Sequence, residues 1–363
     1  MGCSETNCLI DIVANTWKDV IIAGQGLAGT ALAKELLDHN IDFTVVNRYS
    51  PTSSSLVAAG IFNPLVFKRL TLTWRVNHVL PKMLSFYTSI EELLGTTLLH
   101  RLPLIKLLNE HEFEFWKKRS ASPDITDYIK SLLEKPEIQG INSFDACAQV
   151  EPAGFVVLKD LITLFGKYLE QTGRYIEDNL DYHDIIVRDD GVEWKGLKAK
   201  KLIFCQGVRN QENPFFNFVT FYPVLGELLR IRTKQLNEDK IINKNCYILP
   251  QGNHEFVVGS TYHWAYREVR PTDKGRTELF GKLQEILDHI PQVIDFYAGV
   301  RPTIKDRRPV LGFHPEYPQL GIFNGLGTRG VMLAPYFAGE MANMLMDPYY
   351  NTLPEVRLER FLI

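Results

Sequence analysis

The clearest pattern near the N-terminus is an apolar run, followed by a glycine-rich turn and then by helical spacing. Residues 18–23 end in four apolar positions, which is typical of a buried parallel strand. Residues 30–38 are rich in helix formers, His39 and Asn40 interrupt them, and residues 41–46 form a second apolar run. The segment 18–48 therefore predicts a strand, a helix and a second strand, which together begin a βαβ unit.

The rest of the chain mixes helical and strand-like patterns, so the predicted fold class is α/β. Residues 80–135 are rich in Leu, Phe, Glu and Lys and are predicted to be mainly helical. Residues 155–172 predict a strand edge and an amphipathic helix that Gly173 ends. The remaining predictions are short strands over 182–207, a strand-rich segment over 217–267 and a helix over 272–289.

Composition narrows the class of protein. The 363 residues are 45% apolar and 23% charged, as in an ordinary globular protein, and their number suggests two lobes at roughly 100–200 residues per domain. The net charge of −3 gives no electrostatic signature of nucleic-acid binding, although it leaves tRNA open. No apolar run approaches the ~18 residues that span a bilayer.

Cysteines and histidines indicate neither disulfides nor a metal. The five cysteines form no CxxC pair, so we expect no zinc site, no disulfide framework and a reducing, cytoplasmic location. His78, His254, His263 and His314 lack metal-ligand spacing and are interpreted as structural or surface residues. Residues 1–16 are expected to form a poorly ordered leader, although Gly2 stands in a formal myristoylation pattern.

The turn after the first strand carries a dinucleotide-binding pattern. Gly24 allows the tight turn, Gly26 lets the backbone approach a pyrophosphate, and Gly29 lets the helix pack closely on the strand. The helix start also directs N–H groups and a positive dipole end at phosphates. Because a strand precedes the pattern and a second strand follows at the right distance, the sequence predicts dinucleotide binding.

The end of the second strand departs from the usual pattern. A carboxylate normally stands there for the ribose hydroxyls, whereas this chain has Asn47 followed by Arg48. Asn47 can accept a hydrogen bond without charge, and Arg48 could meet a phosphate. These two residues leave FAD and NADP open as cofactors.

A second glycine-rich turn lies near the C-terminus. Residues 299–303 read Gly-Val-Arg-Pro-Thr, and residues 325–330 read Gly-Leu-Gly-Thr-Arg-Gly before a helical segment with Ala-Pro at 334–335. A strand, a glycine turn and a helix start again present N–H groups to an anion. A reduced flavin carries negative charge near N1 and is a fitting partner.

These motifs together carry a resemblance to a known family. The chain resembles the D-amino-acid oxidase, glycine oxidase and sarcosine oxidase group of FAD-dependent oxidoreductases, from about residue 18 onward. Besides the two glycine turns, the resemblance rests on Ala58-Ala59-Gly60-Ile61, Cys205-Gln206-Gly207 and Gly259-Ser260-Thr261-Tyr262. The block at 325–335 is also similar to the flavin half of the bifunctional tRNA wobble-uridine enzyme.

The resemblance implies two lobes and non-covalent FAD. It places 17–80, 145–215 and 297–363 in an FAD-binding, Rossmann-like domain with a parallel sheet. It places 81–144 and 216–296 in an α+β substrate domain whose antiparallel sheet covers the flavin. The cofactor-binding residues it implies are Gly24, Gly26, Leu27, Ala28, Gly29, Asn47, Arg48, Ala59, Gly60, Ile61, Gly207, Arg301, Gly327, Thr328, Arg329, Gly330, Val331 and Met332.

The resemblance also implies an amine donor. Hydride transfer from carbon to flavin N5 depends mainly on positioning, and a carboxylate on the substrate calls for a bidentate guanidinium. Arg301 matches the Gly-x-Arg-Pro arginine and is the first candidate, and Arg329 is the second. Tyr262 and Trp264 follow a strand expected to cover the flavin and are candidates for an aromatic wall.

The sequence therefore leaves four functions open. The first is oxidation of a free amine or amino acid, of the glycine, N-substituted glycine or D-amino acid type. The second is a tRNA wobble-uridine oxidase that removes a carboxymethyl group, for which a basic rim is expected. The third is a flavin-binding protein without turnover, and the fourth is an NAD(P)-dependent enzyme, which the C-terminal block disfavours.

Overall fold

The computed structural model describes residues 17–266 and 268–362, so the predicted leader at 1–16 lies outside the described residues. The chain divides into two compact units. The first unit comprises 17–56, 159–223 and 301–362. The second unit comprises 57–158 and 224–300 apart from residue 267.

The described residues form α-helices, β-strands and short 3-10 turns. The helices are α1 (Leu27–Asp38), α2 (Ser54–Val57), α3 (Val76–Leu94), α4 (Glu110–Ser120), α5 (Leu158–Gln171), α6 (Asp273–Ile286) and α7 (Gly330–Met346). The strands are β1 (Lys18–Ala23), β2 (Phe43–Asn47), β3 (Ile61–Phe62), β4 (Leu65–Val66), β5 (Thr71–Leu72), β6 (Leu99–Arg101), β7 (Leu104–Leu108), β8 (Ile129–Glu134), β9 (Ala146–Val150), β10 (Gly154–Val156), β11 (Tyr175–Glu177), β12 (Ile185–Arg188), β13 (Gly191–Trp194), β14 (Leu197–Phe204), β15 (Val224–Arg232), β16 (Ile241–Asn243), β17 (Tyr247–Gly252), β18 (Glu255–Gly259), β19 (Gln292–Arg301), β20 (Val310–Phe313) and β21 (Leu320–Asn324). The 3-10 turns are Thr126–Tyr128, Tyr182–Asp184, Gly207–Glu212, Pro214–Phe216, Gly327–Arg329, Pro354–Val356 and Leu358–Phe361.

The first unit is built on a largely parallel sheet. Its parallel strands lie in the order β11, β2, β1, β14 and β21, while β12, β13 and β20 add antiparallel pairs. Ile22 in β1 stands opposite Val45 in β2 and Ile203 in β14, and all three side chains are buried. Since parallel strands end at one edge of a sheet, the loops after β1, β2, β14 and β21 gather along that edge.

The second unit is built on a mixed, mostly antiparallel sheet. Its strand order is β19, β15, β18, β17, β16, β7, β9 and β8, and the β16–β7 pair is parallel. Helix α6 buries Leu279, Leu283 and Ile286 in a core that also contains Leu229 and Phe256 from the sheet. Burying each such side chain contributes roughly 1.5–3 kcal/mol, so this apolar stripe is sufficient to hold the helix on the sheet.

The structure confirms the α/β class and the βαβ beginning. The strand and helix predicted over 155–172 are β10 and α5, and the helix predicted over 272–289 is α6. The mainly helical prediction for 80–135 is wrong in part, because β6, β7 and β8 interrupt the helices. Pairing with distant β10, β9 and β16 outweighs the local helix propensity of these segments.

The predicted domains and the compact units differ in four segments. Residues 57–80, 145–158 and 297–300, predicted for the FAD-binding domain, fold with the second unit, and residues 216–223, predicted for the substrate domain, fold with the first. The reason is strand pairing, since β9 joins β7 and β8, and β10 joins β3 and β6. None of the helices in the described part of the chain is both long and apolar enough to cross a membrane.

Candidate functional site

The glycines after β1 are fixed by steric contacts within the first unit. Gly24 has φ +99°, a region that disfavours side chains, and a Cβ there would lie 2.8 Å from the Cys205 carbonyl oxygen. A Cβ at Gly29 would overlap the Gly24 carbonyl oxygen. The loop therefore lies with bare backbone against the end of β14, as the dinucleotide-binding pattern requires.

Polar groups inside the unit hold the start of α1. Gly26 is the N-cap residue, and the Leu27 N–H donates to Ser55 Oγ at 2.8 Å. The buried Gln25 side chain donates from Nε2 to the Ile162 carbonyl oxygen at 2.8 Å. Ala28 belongs to the first helical turn, whose N–H groups have no partner within the helix. The fixed loop and the helix dipole together form a site suited to a phosphate.

The C-terminal glycine turn is anchored to two neighbouring segments of the first unit. Asn324 at the end of β21 donates from Nδ2 to the Gly207 carbonyl oxygen at 3.0 Å. The Gly327 N–H donates to the Pro302 carbonyl oxygen at 3.3 Å, and Gly327 has φ +56°. A Cβ at Gly327 would meet only Thr303 Oγ1, at 3.8 Å, so space lies over this backbone.

An unsatisfied hydroxyl stands beside this turn. Thr303 is buried, and among the described residues its Oγ1 has no hydrogen-bond partner. Buried polar groups are hydrogen-bonded in the great majority of cases, so an orphaned hydroxyl next to open space favours a polar ligand there.

The two glycine-preceded helices begin next to each other. A Cβ at Gly330, the first residue of α7, would lie 3.2 Å from Leu27 Cδ2 at the first residue of α1. Val331 and Met332 are buried in the first turn of α7, and Thr328 before it is exposed. Two positive dipole ends therefore meet at the carboxyl edge of the sheet, which favours a ligand with more than one anionic group.

Two arginines predicted for the site belong to this unit. Arg329 is the N-cap residue of α7 and is half-buried. Burial lowers the pKa of Arg329, and the positive charge of Arg307 acts in the same direction. Arg301 is the last residue of β19, two residues before Thr303, and is also half-buried. A partly desolvated guanidinium binds an anion more strongly than one in open water.

The end of β2 is linked to β11 by a chain of hydrogen bonds. Asn47 Oδ1 accepts the Gln25 N–H at 2.9 Å, and Asn47 Nδ2 donates to Tyr175 Oη at 3.0 Å. Tyr175 Oη donates to Glu177 Oε2 at 3.5 Å, and Arg48 is exposed. Tyr175 and Glu177 were not predicted from the sequence, because only the β2–β11 register brings them close to Asn47.

Three other predicted cofactor residues lie in the second unit. Gly60 has φ +71°, and a Cβ there would overlap the Val156 carbonyl oxygen. Ile61 begins β3 and pairs with Phe155 in β10, and Ala59 packs against the same apolar cluster. The close backbone approach explains the glycine, and a role of these residues in cofactor binding stays a prediction.

Tyr262 lies on a segment that one buried carboxylate anchors from both ends. Glu227 is fully buried and accepts from Thr261 Oγ1 at 3.0 Å, from the Thr272 N–H at 2.6 Å and from Thr272 Oγ1 at 2.8 Å. His263 Nδ1 lies 3.2 Å from Glu227 Oε2, and Nε2 lies 3.0 Å from Glu278 Oε2. Gly275 in α6 leaves room for this carboxylate, because a Cβ there would overlap it.

The anchored segment presents an aromatic pair. The rings of Tyr262 and Trp264 are 5.4 Å apart at 80°, and both side chains are exposed. Both aromatics were predicted from the sequence, but Glu227 was not, because its partners lie 34 and 45 residues away along the chain.

His263 and His314, two of the four histidines considered in the sequence, have structural partners. His263 bridges two carboxylates, and His314 is buried among Phe216, Phe218 and Tyr317. Across 17–266 and 268–362, no group of three or more His, Cys, Asp or Glu side chains is arranged to hold a metal ion.

Comparison with known proteins decides the family. The family described as DAO, FAD dependent oxidoreductase, matches residues 19–344. The chain belongs to this DAO family. Its cofactor is accordingly FAD, which agrees with the resemblance noted from the sequence and answers the alternative of NAD(P).

Relatives of this DAO-family chain include glycine oxidases. A glycine oxidase of Bacillus subtilis (strain 168) is 27% identical over 44% of this chain and 40% of its own length. A tRNA 5-methylaminomethyl-2-thiouridine biosynthesis bifunctional protein of Marinobacter nauticus is 20% identical over 90% of this chain and 55% of its own length. The chain thus spans less than two thirds of the length of the first curated relatives that it matches.

Solved structures confirm the fold of the DAO-family chain. The glycine oxidase of Bacillus cereus ATCC 14579 has a TM-score of 0.77 at 19% identity, covering 91% of this chain and 95% of that chain. At this identity the likeness shows the fold. The bare glycine loops, the two helix starts and the orphaned Thr303 hydroxyl fit a dinucleotide that carries a pyrophosphate and a polar ring system.

Proposed function

We propose that this chain oxidises the carbon–nitrogen bond of a small amine or amino acid, of the glycine, N-substituted glycine or D-amino acid type. The observation that carries the proposal is the meeting of the α1 and α7 starts beside two bare glycine turns, in a chain of the DAO family. The similarity to glycine oxidase supports the choice of donor.

Most of the residues that we propose to hold FAD lie in the first unit. Residues 24–29 would hold the pyrophosphate, Asn47 would stand beside the adenosine ribose, Arg48 would meet a phosphate, and Gly207 would lie on the adenine side. Residues 327–332 would hold the pyrimidine end of the flavin ring, with Arg329 and the dipole of α7 opposite its negative charge. Ala59, Gly60 and Ile61 are also proposed as flavin neighbours.

The residues of the chain would position the substrate and would not act as a general acid or base. FAD, when bound, would supply the hydride acceptor, so the task of the chain is to orient the donor C–H bond and to exclude water. We propose that the Arg301 guanidinium donates two hydrogen bonds to the substrate carboxylate. We propose that the Tyr262 ring packs against the substrate. The exposure of the Tyr262 side chain agrees with a role in binding rather than in the core.

The experiment uses paired donors on the Arg301→Lys variant. Lysine keeps the charge but loses the forked donor geometry, so KM for sarcosine should rise about tenfold or more. A methylated amine that lacks the carboxylate should be oxidised with unchanged kcat/KM by the variant. Steady-state assays with a dye acceptor give both numbers, and Arg357→Lys is the control, since Arg357 Nε donates to the Thr352 carbonyl oxygen.

An equal loss for both donors would contradict the assignment of Arg301 to the carboxylate. Absence of turnover with every glycine, N-alkylglycine and D-amino acid of the panel would contradict the proposed function itself. Unchanged KM for sarcosine in Arg301→Lys would move the carboxylate to Arg329, and Arg329→Lys tests that reading in the same assay.

A tRNA wobble-uridine oxidase is the second candidate. It is favoured by the string at residues 325–330 and by the relative from Marinobacter nauticus. Adding the carboxymethylaminomethyluridine nucleoside to the donor panel separates the two, because the first candidate predicts no turnover with it.

The cytoplasm is the proposed location. The described cysteines Cys147, Cys205 and Cys246 are free thiols and are buried. Burial raises the pKa of the Cys246 thiol to about 12, so the thiol stays protonated and unreactive at neutral pH. Buried free thiols are typical of proteins in a reducing compartment.

A further inference from the structure

The site holds an amide where dinucleotide-binding folds usually place a carboxylate. An acidic side chain at the end of the second strand accepts hydrogen bonds from the ribose hydroxyls of the adenosine. Here Asn47 stands at that position, and its amide is already engaged at both ends. Its Oδ1 accepts the Gln25 N–H and thereby fixes the glycine loop, which is a structural task.

The neighbouring strand brings a carboxylate to the same place. In the parallel pair β2–β11, Glu177 is the register partner of Asn47. Both are the last residues of their strands, so they stand side by side at the carboxyl edge of the sheet. That edge also carries residues 24–29.

Tyr175 connects the two side chains in a defined direction. It accepts from Asn47 Nδ2 at 3.0 Å and donates its own proton to Glu177 Oε2 at 3.5 Å. Burial raises the pKa of Tyr175, and the negative charge of Glu177 acts in the same direction, so the phenol keeps its proton at neutral pH. The amide orientation of Asn47 and the position of Glu177 are therefore set together.

The Glu177 carboxylate has room for further donors. It is exposed, its Oε1 accepts the Tyr49 N–H at 3.4 Å, and both of its contacts are long. A carboxylate offers about four lone-pair sites, so most of its acceptor capacity is unused. Its negative charge would also repel a phosphate on the ribose and so select an unmodified adenosine.

We propose that Glu177 on β11, rather than a residue of β2, supplies the carboxylate that accepts the adenosine ribose hydroxyls of FAD. Asn47 and Tyr175 are positioning residues that hold the glycine loop and Glu177 in place. This inference rests on the proposed function, because it requires that the chain bind FAD.

The test measures FAD affinity directly. The 363-residue chain, freed of flavin, is titrated with FAD while flavin fluorescence is followed, and the same is done for Glu177→Ala. Loss of a charge-assisted hydrogen bond to a ribose hydroxyl should raise the Kd about tenfold. The analogue of FAD that lacks both adenosine ribose hydroxyls should bind wild type and Glu177→Ala equally, because the partner of the carboxylate is missing.

A matched control removes a charge from the same surroundings. Glu170 is exposed at the end of α5, and its charge also acts on Tyr175, but it is not a register partner of Asn47. Glu170→Ala should leave the Kd for FAD within twofold. Asn47→Asp in the Glu177→Ala background should recover FAD affinity, since a carboxylate returns to the neighbouring strand end.

The possible results distinguish a failure of the inference about Glu177 from a failure of the proposed function. An unchanged Kd for FAD in Glu177→Ala, with wild type binding FAD, overturns the inference alone. An equal loss for FAD and for the analogue without hydroxyls also overturns it, because the effect is then structural. A wild-type chain that binds no FAD overturns both the inference and the proposed function.

Discussion

At the scale of single residues, the site depends on glycines, which have no side chain. At Gly24 and Gly29 a loop, a strand end and a helix start approach one another closely. A Cβ at either position would clash with a backbone carbonyl oxygen. Such glycines can be predicted from the sequence, because their spacing and the flanking strand and helix patterns indicate positions where a side chain would clash.

Replacing Gly29 by Ala should separate α1 from the loop. The added Cβ would overlap the Gly24 carbonyl oxygen, so we expect a loss of about 2 kcal/mol or more in the free energy of unfolding and loss of FAD binding. Urea unfolding and FAD titration measure both. Gly281→Ala in α6 is the control, because no atom lies within 4 Å of its added Cβ, and it should stabilise by about 0.5–1 kcal/mol.

His314 should make the stability of the protein depend on pH. Its Nδ1 accepts the N–H groups of Glu316 and Tyr317, both at 3.1 Å, which requires an unprotonated nitrogen. Burial lowers the pKa of His314 below its usual 6.5, although the charge of Glu316 opposes this. The unfolded chain thus binds the proton more tightly, and stability falls as the pH drops through 6.5 towards the folded pKa.

The test compares the Tm of wild type and His314→Asn between pH 7.5 and 5, since the Asn oxygen can accept the same N–H groups without titrating. The Tm of wild type should fall more steeply over this range. Parallel curves would show that His314 does not titrate with unfolding.

At the scale of elements, the sequence predicts motifs that are contiguous along the chain better than elements whose conformation depends on distant strand pairing. The βαβ beginning and the C-terminal turn were predictable, because strand, glycines and helix are contiguous. Strand β8 was expected to be helical, since its pairing with β9 decides its conformation. Glu177 could not be found without the β2–β11 register, nor Glu227 without the contacts among β15, α6 and the segment between β18 and α6.

The buried Glu227 should fix the segment that carries Tyr262 and Trp264. Glu227→Gln would place an amide donor against the donors of Thr261, Thr272 or His263. We expect the free energy of unfolding to fall by about 3 kcal/mol, as when one partner of a buried ionic network is removed. Urea unfolding gives this value.

The control for this prediction is Glu278→Gln. Glu278 binds the outer nitrogen of His263 and keeps a third of its side chain exposed, so its loss should cost less than about 1 kcal/mol. Equal effects of the two substitutions would contradict the anchoring role of Glu227.

At the scale of the whole molecule, two units are built on different sheets, and the dinucleotide features described here belong to the first. Family membership assigns FAD to this chain, and the bare glycine turns fit a dinucleotide. Added FAD should therefore stabilise the flavin-free chain, by about 2.7 kcal/mol at a hundredfold excess over Kd.

Thermal unfolding with and without FAD measures this stabilisation. Tm should rise with FAD concentration for wild type and stay unchanged for Gly29→Ala. A wild-type Tm that does not respond to FAD would contradict the assignment of the cofactor.

Oxidation of an amine by bound FAD is tested by the visible spectrum of the purified chain while donors are added without oxygen. We expect bands of an oxidised flavin that one glycine, N-alkylglycine or D-amino acid of the panel bleaches. A colourless protein that takes up no added FAD, or flavin bands that no amine donor bleaches, would contradict it.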